Sequence, residues 1–396
     1  MNILHANANS IFDYVNGSSN SVRLLLQQFA KLGHNVYTVN GCVSDSKYGY
    51  IKSISLWKKS SSLDQVNPKF ITRFKTKNIN ISLIKTRTWQ RNLLASDEEE
   101  NIYRESINII NECNIDLVVG WGNLLLEESI FREAKIKNSK ICLYLVNPSF
   151  KGKKNYIFNN SDIAITDSYS TKNFYKGDLT CKFEVIPKLI QANNFSEIPK
   201  KIESKHILFV NPSINKGLEP LIILSKYFSE KNINISINCV DGRNLFWREL
   251  EYLGYKKSDI PQNIKILPAI ESVDLLFKDI KVLLLLSIWH ESGSRLILES
   301  YSRGLPILGF DSGGTSEFCN NYQIDLFKKP ILYSDKNRII RVKEWDPKSM
   351  FERLNFLLGN RTYYKNYSKM LINNYCAERL KKKNDQTIEQ ILQMLK

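Results

Sequence analysis

LSIWHESGSRLILESYSRGLPILGFDSGGTSEF, from Leu286 to Phe318, is the stretch that decides the reading of this chain. It opens at the end of an apolar strand, Val282 to Leu286. A polar loop follows, then helical spacing from Ser294 to Arg303, with Gly304 and Pro306 as a helix stop. A second apolar strand, Ile307 to Phe310, completes a βαβ unit, which implies a parallel sheet. Glu291 falls in the loop after the first strand, and Glu299 falls inside the helix, flanked by Leu296, Ile297 and Leu298. A carboxylate in that setting needs partners, because burying it alone is costly. A ribose diol suits it, since two vicinal hydroxyls can donate to two carboxylate oxygens. A neighbouring Lys or Arg would serve as well. The helix entry at Ser292, Gly293 and Ser294 predicts an anion site of exposed N–H groups.

Outward from this unit the pattern repeats. Strand His206 to Val210, loop NPSINKG, helix Leu218 to Phe228, and strands at 233–239 and 264–267 form one α/β half. The other half begins with strand Met1 to Ala6, helix Ser21 to Leu32 and strand Asn35 to Val39. It continues with a capped helix from Ser96 (capping box to Glu99), then strands at 116–119, 140–146, 163–166 and 183–186. The polar stretch Lys188 to Ser204 reads as a linker. The expected division is 1–190, 204–375, and a C-terminal helix 376–396 packing back on the first domain.

The remaining composition narrows the function classes. The chain has 396 residues and is 43% hydrophobic, which suits two globular domains. It has no apolar run of membrane-spanning length and no signal-peptide pattern, and its seven cysteines are scattered. The expected location is cytoplasmic. A Walker A sequence, a full GxGxxG, an Asp-x-Asp and a metal spacing of histidines are all missing. The net charge is +16, and the stretch from Ile51 to Leu94 holds ten basic residues against Asp64 alone.

Glu291, Glu299, Gly304, Pro306, Gly313, Gly314 and Glu317 together resemble the C-terminal signature of the retaining glycosyltransferases of family 4. The loop VNPSINKG resembles that family's phosphate loop, with Lys216 at its lysine. Asp167-Ser168, Ile186-Pro187 and Gly17 fall in matching order. The resemblance implies an α/β GT-B fold, two Rossmann-like doubly wound domains facing a central cleft. It implies transfer of a sugar from a nucleoside-diphosphate sugar to an acceptor hydroxyl with retention, in polysaccharide or glycolipid synthesis.

By the same resemblance Lys216 and Arg295 would hold the diphosphate and Glu299 the ribose. Glu291 would contact the sugar or the charge developing at its anomeric carbon. Gly17, Asn211, Gly293, Ser294 and Leu296 would line the donor site. No cofactor and no metal are expected. Asn211 stands where many members carry an arginine, and Asn147 where many carry a histidine. A non-catalytic subunit binding a nucleotide or a partner protein is therefore the alternative. A nucleotide-sugar epimerase fits the signature less well.

The basic stretch lies on the acceptor side of such a fold, with Trp57, Phe70, Phe74 and Trp89 among its cations. Lys58, Lys59, Arg73, Lys75, Lys77 and Arg87 would meet a carbohydrate or lipid-linked acceptor or an anionic membrane at its inner face. A solvated loop region is the plainer alternative. No nucleic-acid module is recognisable, so nucleic acid is not an expected partner.

Overall fold

The computed structural model describes every residue except 62–69, 122–123, 153–155, 187, 191–205, 320–324 and 396, and all side chains of the rest but 377, 378, 381, 383, 384 and 387. Most of the linker reading thus lies outside the described residues. The chain divides into two compact units, Met1–Leu189 with Lys382–Lys396, and Ile190–Lys381.

Apolar segments make the first sheet, buried on both faces at its centre and partly exposed at its two edges. Its strands are β1 (Asn2–Asn9), β2 (Asn35–Val43), β3 (Ile71–Thr76), β4 (Ile79–Ile84), β5 (Leu117–Gly120), β6 (Lys140–Leu145), β7 (Ile163–Thr166) and β8 (Lys182–Val185). They lie in the order β3-β4-β2-β1-β5-β6-β7-β8. All neighbours are parallel except β3, which runs antiparallel to β4 at the edge.

The second sheet has β9 (His206–Val210), β10 (Ser236–Val240), β11 (Ile264–Leu267), β12 (Ile280–Leu285), β13 (Ile307–Phe310) and β14 (Leu326–Phe327), in the order β11-β10-β9-β12-β13-β14. Counted within the unit this is 3-2-1-4-5-6, the doubly wound order of a Rossmann domain. A short antiparallel pair, β15 (Ile331–Ser334) and β16 (Ile340–Glu344), stands apart.

Several boundaries differ from the sequence reading for local reasons. The first helix spans Gly17–Lys31 and begins four residues before Ser21. Asn16 caps it, its Oδ1 accepting the N–H groups of Ser18 (2.7 Å) and Ser19 (3.2 Å). The helix Ser96–Glu112 starts behind Ala95, and Glu98 rather than Glu99 reaches back to the Ala95 N–H at 3.1 Å.

The described part of the basic stretch is folded rather than a loop region. It forms a helix, Lys47–Ser61, and the β3–β4 hairpin. The helix fully buries only Gly49 and Ser53, and packs Tyr50, Ile54, Leu56 and Trp57 partly buried against the core of the unit. Lys77 and Asn78 turn the hairpin in left-handed conformation, as a two-residue hairpin loop requires.

The last helix, Ala377–Met394, sends Ile388, Ile391 and Leu392 into the core of the first unit, with Leu395 just beyond it. Ile388 is fully buried there. Replacing Ile388 with Ala should destabilise the first unit by about 2–5 kcal/mol. Thermal unfolding read with limited proteolysis would check it: peptides of residues 1–189 should become cleavable at lower temperature than in wild type.

Candidate functional site

In a doubly wound sheet, ligands bind beyond the carboxyl ends of the strands, where the crossovers diverge. In the second unit that point lies between β9 and β12, which pair directly. The loops after these two strands carry Lys216 and Glu291.

The loop after β9 leaves with Asn211 in left-handed conformation (φ 58°), its N–H bound to the Val240 carbonyl at 2.9 Å. It tightens through bonds from Lys216 and Leu218 N–H to the Ser213 carbonyl, each 3.0 Å. The Ile288 N–H then bonds the Asn215 carbonyl at 3.0 Å, tying the two loops together. Across this seam Lys216 Nζ donates to Glu291 Oε1 at 2.5 Å. The same oxygen accepts from Ser287 Oγ (2.5 Å) and Trp289 Nε1 (3.2 Å). Burial pushes the Glu291 carboxyl up. The Lys216 charge, with the bonds from Lys216, Ser287 and Trp289, outweighs that and holds it below its usual value. Glu291 is therefore a buried, ionised carboxylate.

Its backbone is clamped as well. The Gly314 N–H bonds the Glu291 carbonyl at 2.7 Å. Gly313 sits at φ +59°, and a β-carbon there would lie 2.2 Å from that carbonyl. The Gly-Gly pair thus serves close backbone approach. Gly293 does the same against the Phe318 ring, where a β-carbon would meet the ring at 2.3 Å.

The signature helix is shorter than its spacing suggests. It spans Arg295–Tyr301, seven residues, with Ser294 as a cap whose side chain makes no cap bond. The anion site expected at its entry would rest on the N–H groups there, since two short turns carry little dipole. Arg295 Nε lies 2.8 Å from Glu299 Oε1, one turn along the same helix. Glu299 is 4% exposed. Leu296 is partly buried against the core of this unit.

Arg303, fully inside the unit, donates to the Glu299 carbonyl (2.8 Å) and to Asp274 Oδ1 (2.7 Å), fixing the helix end. Lys329 Nζ stands 3.5 Å from Ser312 Oγ, and Ser312 Oγ donates to the Trp289 carbonyl. Burial and the Lys329 charge hold His290 below its usual value. Ser287, Trp289, Arg303 and Lys329 were not singled out from sequence. Ser287 and Trp289 lie within four residues of Glu291, which was the available signal.

The other predicted residues lie in the first unit. Gly17 is exposed at the first turn of its helix, with nothing within 4 Å of where a β-carbon would stand. Just before it, Asp13 is buried in the loop after β1 and accepts N–H bonds from Val15 (3.1 Å) and Asp45 (2.8 Å). Of the basic patch, Arg73 is spent on buried Glu105, with Nε and Nη2 at 2.8 and 2.6 Å. Arg87 pairs with Asp97 and Glu98. Lys58, Lys75 and Lys77 are exposed and have no acidic partner among the described residues, and Lys59 is exposed. Among the described residues no group of three His, Cys, Asp or Glu gathers to hold a metal ion. No described helix is long and apolar enough to cross a membrane.

No protein-family model and no curated protein matches the chain. Solved structures do. A glycosyltransferase from Rickettsia africae ESF-5 superposes with a TM-score of 0.62 at 16% identity, covering 99% of this chain and 98% of its own. Anabaena HepE, crystallised with UDP-glucose, gives 0.65 at 12% identity over 99% of both chains. TarM gives 0.63 at 11% identity over 100% of this chain and 98% of that one. At these identities the likeness shows the fold: two Rossmann-like domains of the GT-B class.

Asp13 generates a pH prediction. Burial pushes its carboxyl up to about 6, against the N–H bonds from Asp45 and Val15. A carboxyl raised above its unfolded value of 3.8 binds its proton more tightly when folded. Its contribution is complete below the unfolded value and is lost as pH rises through about 6. Urea unfolding at pH 5 and pH 7.5 should show a drop of about 1.4 kcal/mol in wild type that Asp13→Asn lacks.

Proposed function

We propose that the chain is a retaining glycosyltransferase, moving a sugar from a nucleoside-diphosphate donor to an acceptor hydroxyl in polysaccharide or glycolipid synthesis. The observation that carries this reading is the Lys216–Glu291 pair across the switch point, with the Glu299 carboxylate on the following helix. The neighbours support it, since their described complexes include UDP-glucose and UDP with GlcNAc.

In this reading Lys216 neutralises the diphosphate as a point charge and stabilises it on departure. Glu291, ionised and fixed through Oε1, faces the transferred sugar and the positive charge at its anomeric carbon. Glu299 takes the ribose hydroxyls. Gly17 lets the chain approach the donor closely, while Asn211, Gly293, Ser294 and Leu296 shape the donor pocket. The bond from the anomeric carbon to the donor's phosphate oxygen breaks. The acceptor oxygen bonds to that carbon on the same face, and its proton passes to the departing phosphate oxygen. No metal is needed for this balance. The exposed lysines Lys58, Lys59, Lys75 and Lys77 suit an anionic acceptor or membrane surface, where each adds about 1 kcal/mol of attraction.

A second reading has its own observation: Asn211 supplies no cation where a relative's arginine would, and the GtfA/B complex is among the neighbours. A non-catalytic subunit would bind the nucleotide but release no sugar.

Thermal shift with UDP, GDP, ADP, CDP and TDP tests donor binding. At 100 times its dissociation constant the recognised nucleotide should add about 2.7 kcal/mol, and Glu299→Ala should lose most of it. Sugar release from the matching donor should fall about 10²–10³-fold in Lys216→Ala. No shift with any nucleotide would overturn the proposal. A shift without sugar release from any donor would replace it with the second reading.

A further inference from the structure

The two carboxylates of the signature are satisfied very differently. Glu291 Oε1 accepts three aligned donors. Glu299 has one cation beside it, and the contact is poor. Arg295 Nε lies 2.8 Å from Oε1, yet its N–H is turned away, and Nε has no hydrogen-bond partner. Glu299 Oε2 is buried and also has none. The exposure of the pair sits on the arginine: its side chain is 17% exposed and that of Glu299 5%. Among the described residues the terminal guanidinium nitrogens take no side-chain partner, so they are the outward edge of the pair. Arg295 therefore covers a carboxylate that it does not satisfy. Leaving a buried acceptor of this kind unmade is unfavourable, and a charged one more so.

We propose that Arg295 is a displaceable cover on Glu299: in the empty protein it roofs the carboxylate, and the donor's diphosphate draws the guanidinium off, opening Glu299 to the ribose hydroxyls. This rests on the donor reading above. A diphosphate is the ligand chemistry that can compete, because its oxygens match the guanidinium fork in two parallel bonds. A vicinal diol then supplies the two donors that Glu299 lacks. The exchange replaces one poorly aligned ion pair with two aligned sets of bonds.

The consequence is a coupling between two parts of one ligand. A nucleoside without phosphates has to bind the small uncovered fraction, and its apparent affinity is reduced by that fraction. A nucleoside diphosphate removes the cover itself. Arg295 thus penalises the nucleoside and favours the diphosphate, opposite effects that a fixed positioning residue would not have.

Calorimetric titration of wild type, Arg295→Met and Arg295→Lys with UDP, GDP, ADP, CDP and TDP, and with the matching nucleosides, separates the cases. Methionine keeps an apolar stem without charge. For the recognised base, Arg295→Met should weaken the diphosphate about 10-fold or more and tighten the nucleoside about 10-fold. Arg295→Lys keeps the charge but is too compact to roof, so it should tighten the nucleoside while changing the diphosphate by less than about 3-fold. Should Arg295→Met fail to fold, the lysine variant decides alone. Weakening of the nucleoside together with the diphosphate, or an unchanged nucleoside in both variants, overturns the cover. If wild type binds no nucleoside diphosphate at all, the donor reading falls, and the cover with it.

Discussion

The ammonium of Lys216 against the carboxylate of Glu291 closes the seam between two loops, and most of the site is arranged around it. The seam exists because β9 and β12 are neighbours whose crossovers leave in opposite directions. Each loop alone is a short irregular segment. Bonded through Ile288 N–H and the Lys216 ammonium, they become one surface. The tight turns follow from that surface. Gly313 and Gly293 bring backbone and the Phe318 ring closer to the Glu291 loop than a β-carbon would permit. Burial alone would push the Glu291 carboxyl up. The lysine and two neutral donors keep it charged, so its ionisation and the loop's geometry have one cause.

The parts that were legible in the sequence are those governed by long apolar periodicity or by fixed glycine spacing. Strands such as His206–Val210 and Ile163–Thr166 match their reading because their residues are buried on both faces and have no competing pattern. The helix Lys47–Ser61 was not read from the sequence, although Tyr50, Ile54 and Trp57 pack against the core at helical spacing; its closest contacts are small and polar. Ser53 Oγ donates to Ser10 Oγ at 2.7 Å, and Gly49 packs directly on Asp13. The β3–β4 turn at Lys77-Asn78 lacks the usual Asn-Gly signal and adopts the same conformation without it. Within the site, residue types and spacing marked Glu291, Glu299 and Lys216. They did not mark Arg295 as the partner of Glu299 rather than a free cation, since an i, i+4 pair on a helix is one of several geometries open to an arginine.

The same limit applies to charge. Counted along the chain, the stretch from Ile51 to Leu94 is a block of positive charge. In space its arginines sit against the acidic start of the helix Ser96–Glu112. Arg87 meets Asp97 and Glu98, Arg91 meets Glu99 and Glu127, and Arg73 meets Glu105 on the same helix. Acids at a helix N-terminus already interact favourably with its dipole, and here they draw in arginines as well. The positive field that remains is a lysine field. Lysine is a mobile, strongly hydrated point charge, suited to long-range attraction of an anionic surface rather than to bidentate recognition of one group.

Charge balance in the second unit explains why the state of Arg295 matters. Lys216 is committed to Glu291 and Arg295 to Glu299, so the four groups sum to zero before any ligand arrives. Asn211 adds no charge at the mouth of the β9 loop, and the signature helix, seven residues long, adds little dipole. In the donor reading a diphosphate would bring negative charge to four groups that are already neutral together. Lys329 aside, the cations at hand there are shared with, or taken from, the carboxylates. Lys216 can be shared, because Glu291 retains Ser287 and Trp289 when the ammonium turns toward a second anion. Arg295 cannot be shared on the same terms, because Glu299 has no aligned donor to fall back on. In the proposed cover its release is therefore tied to the arrival of hydroxyls at Glu299, and the two carboxylates, eight residues apart, would then call for different parts of one ligand.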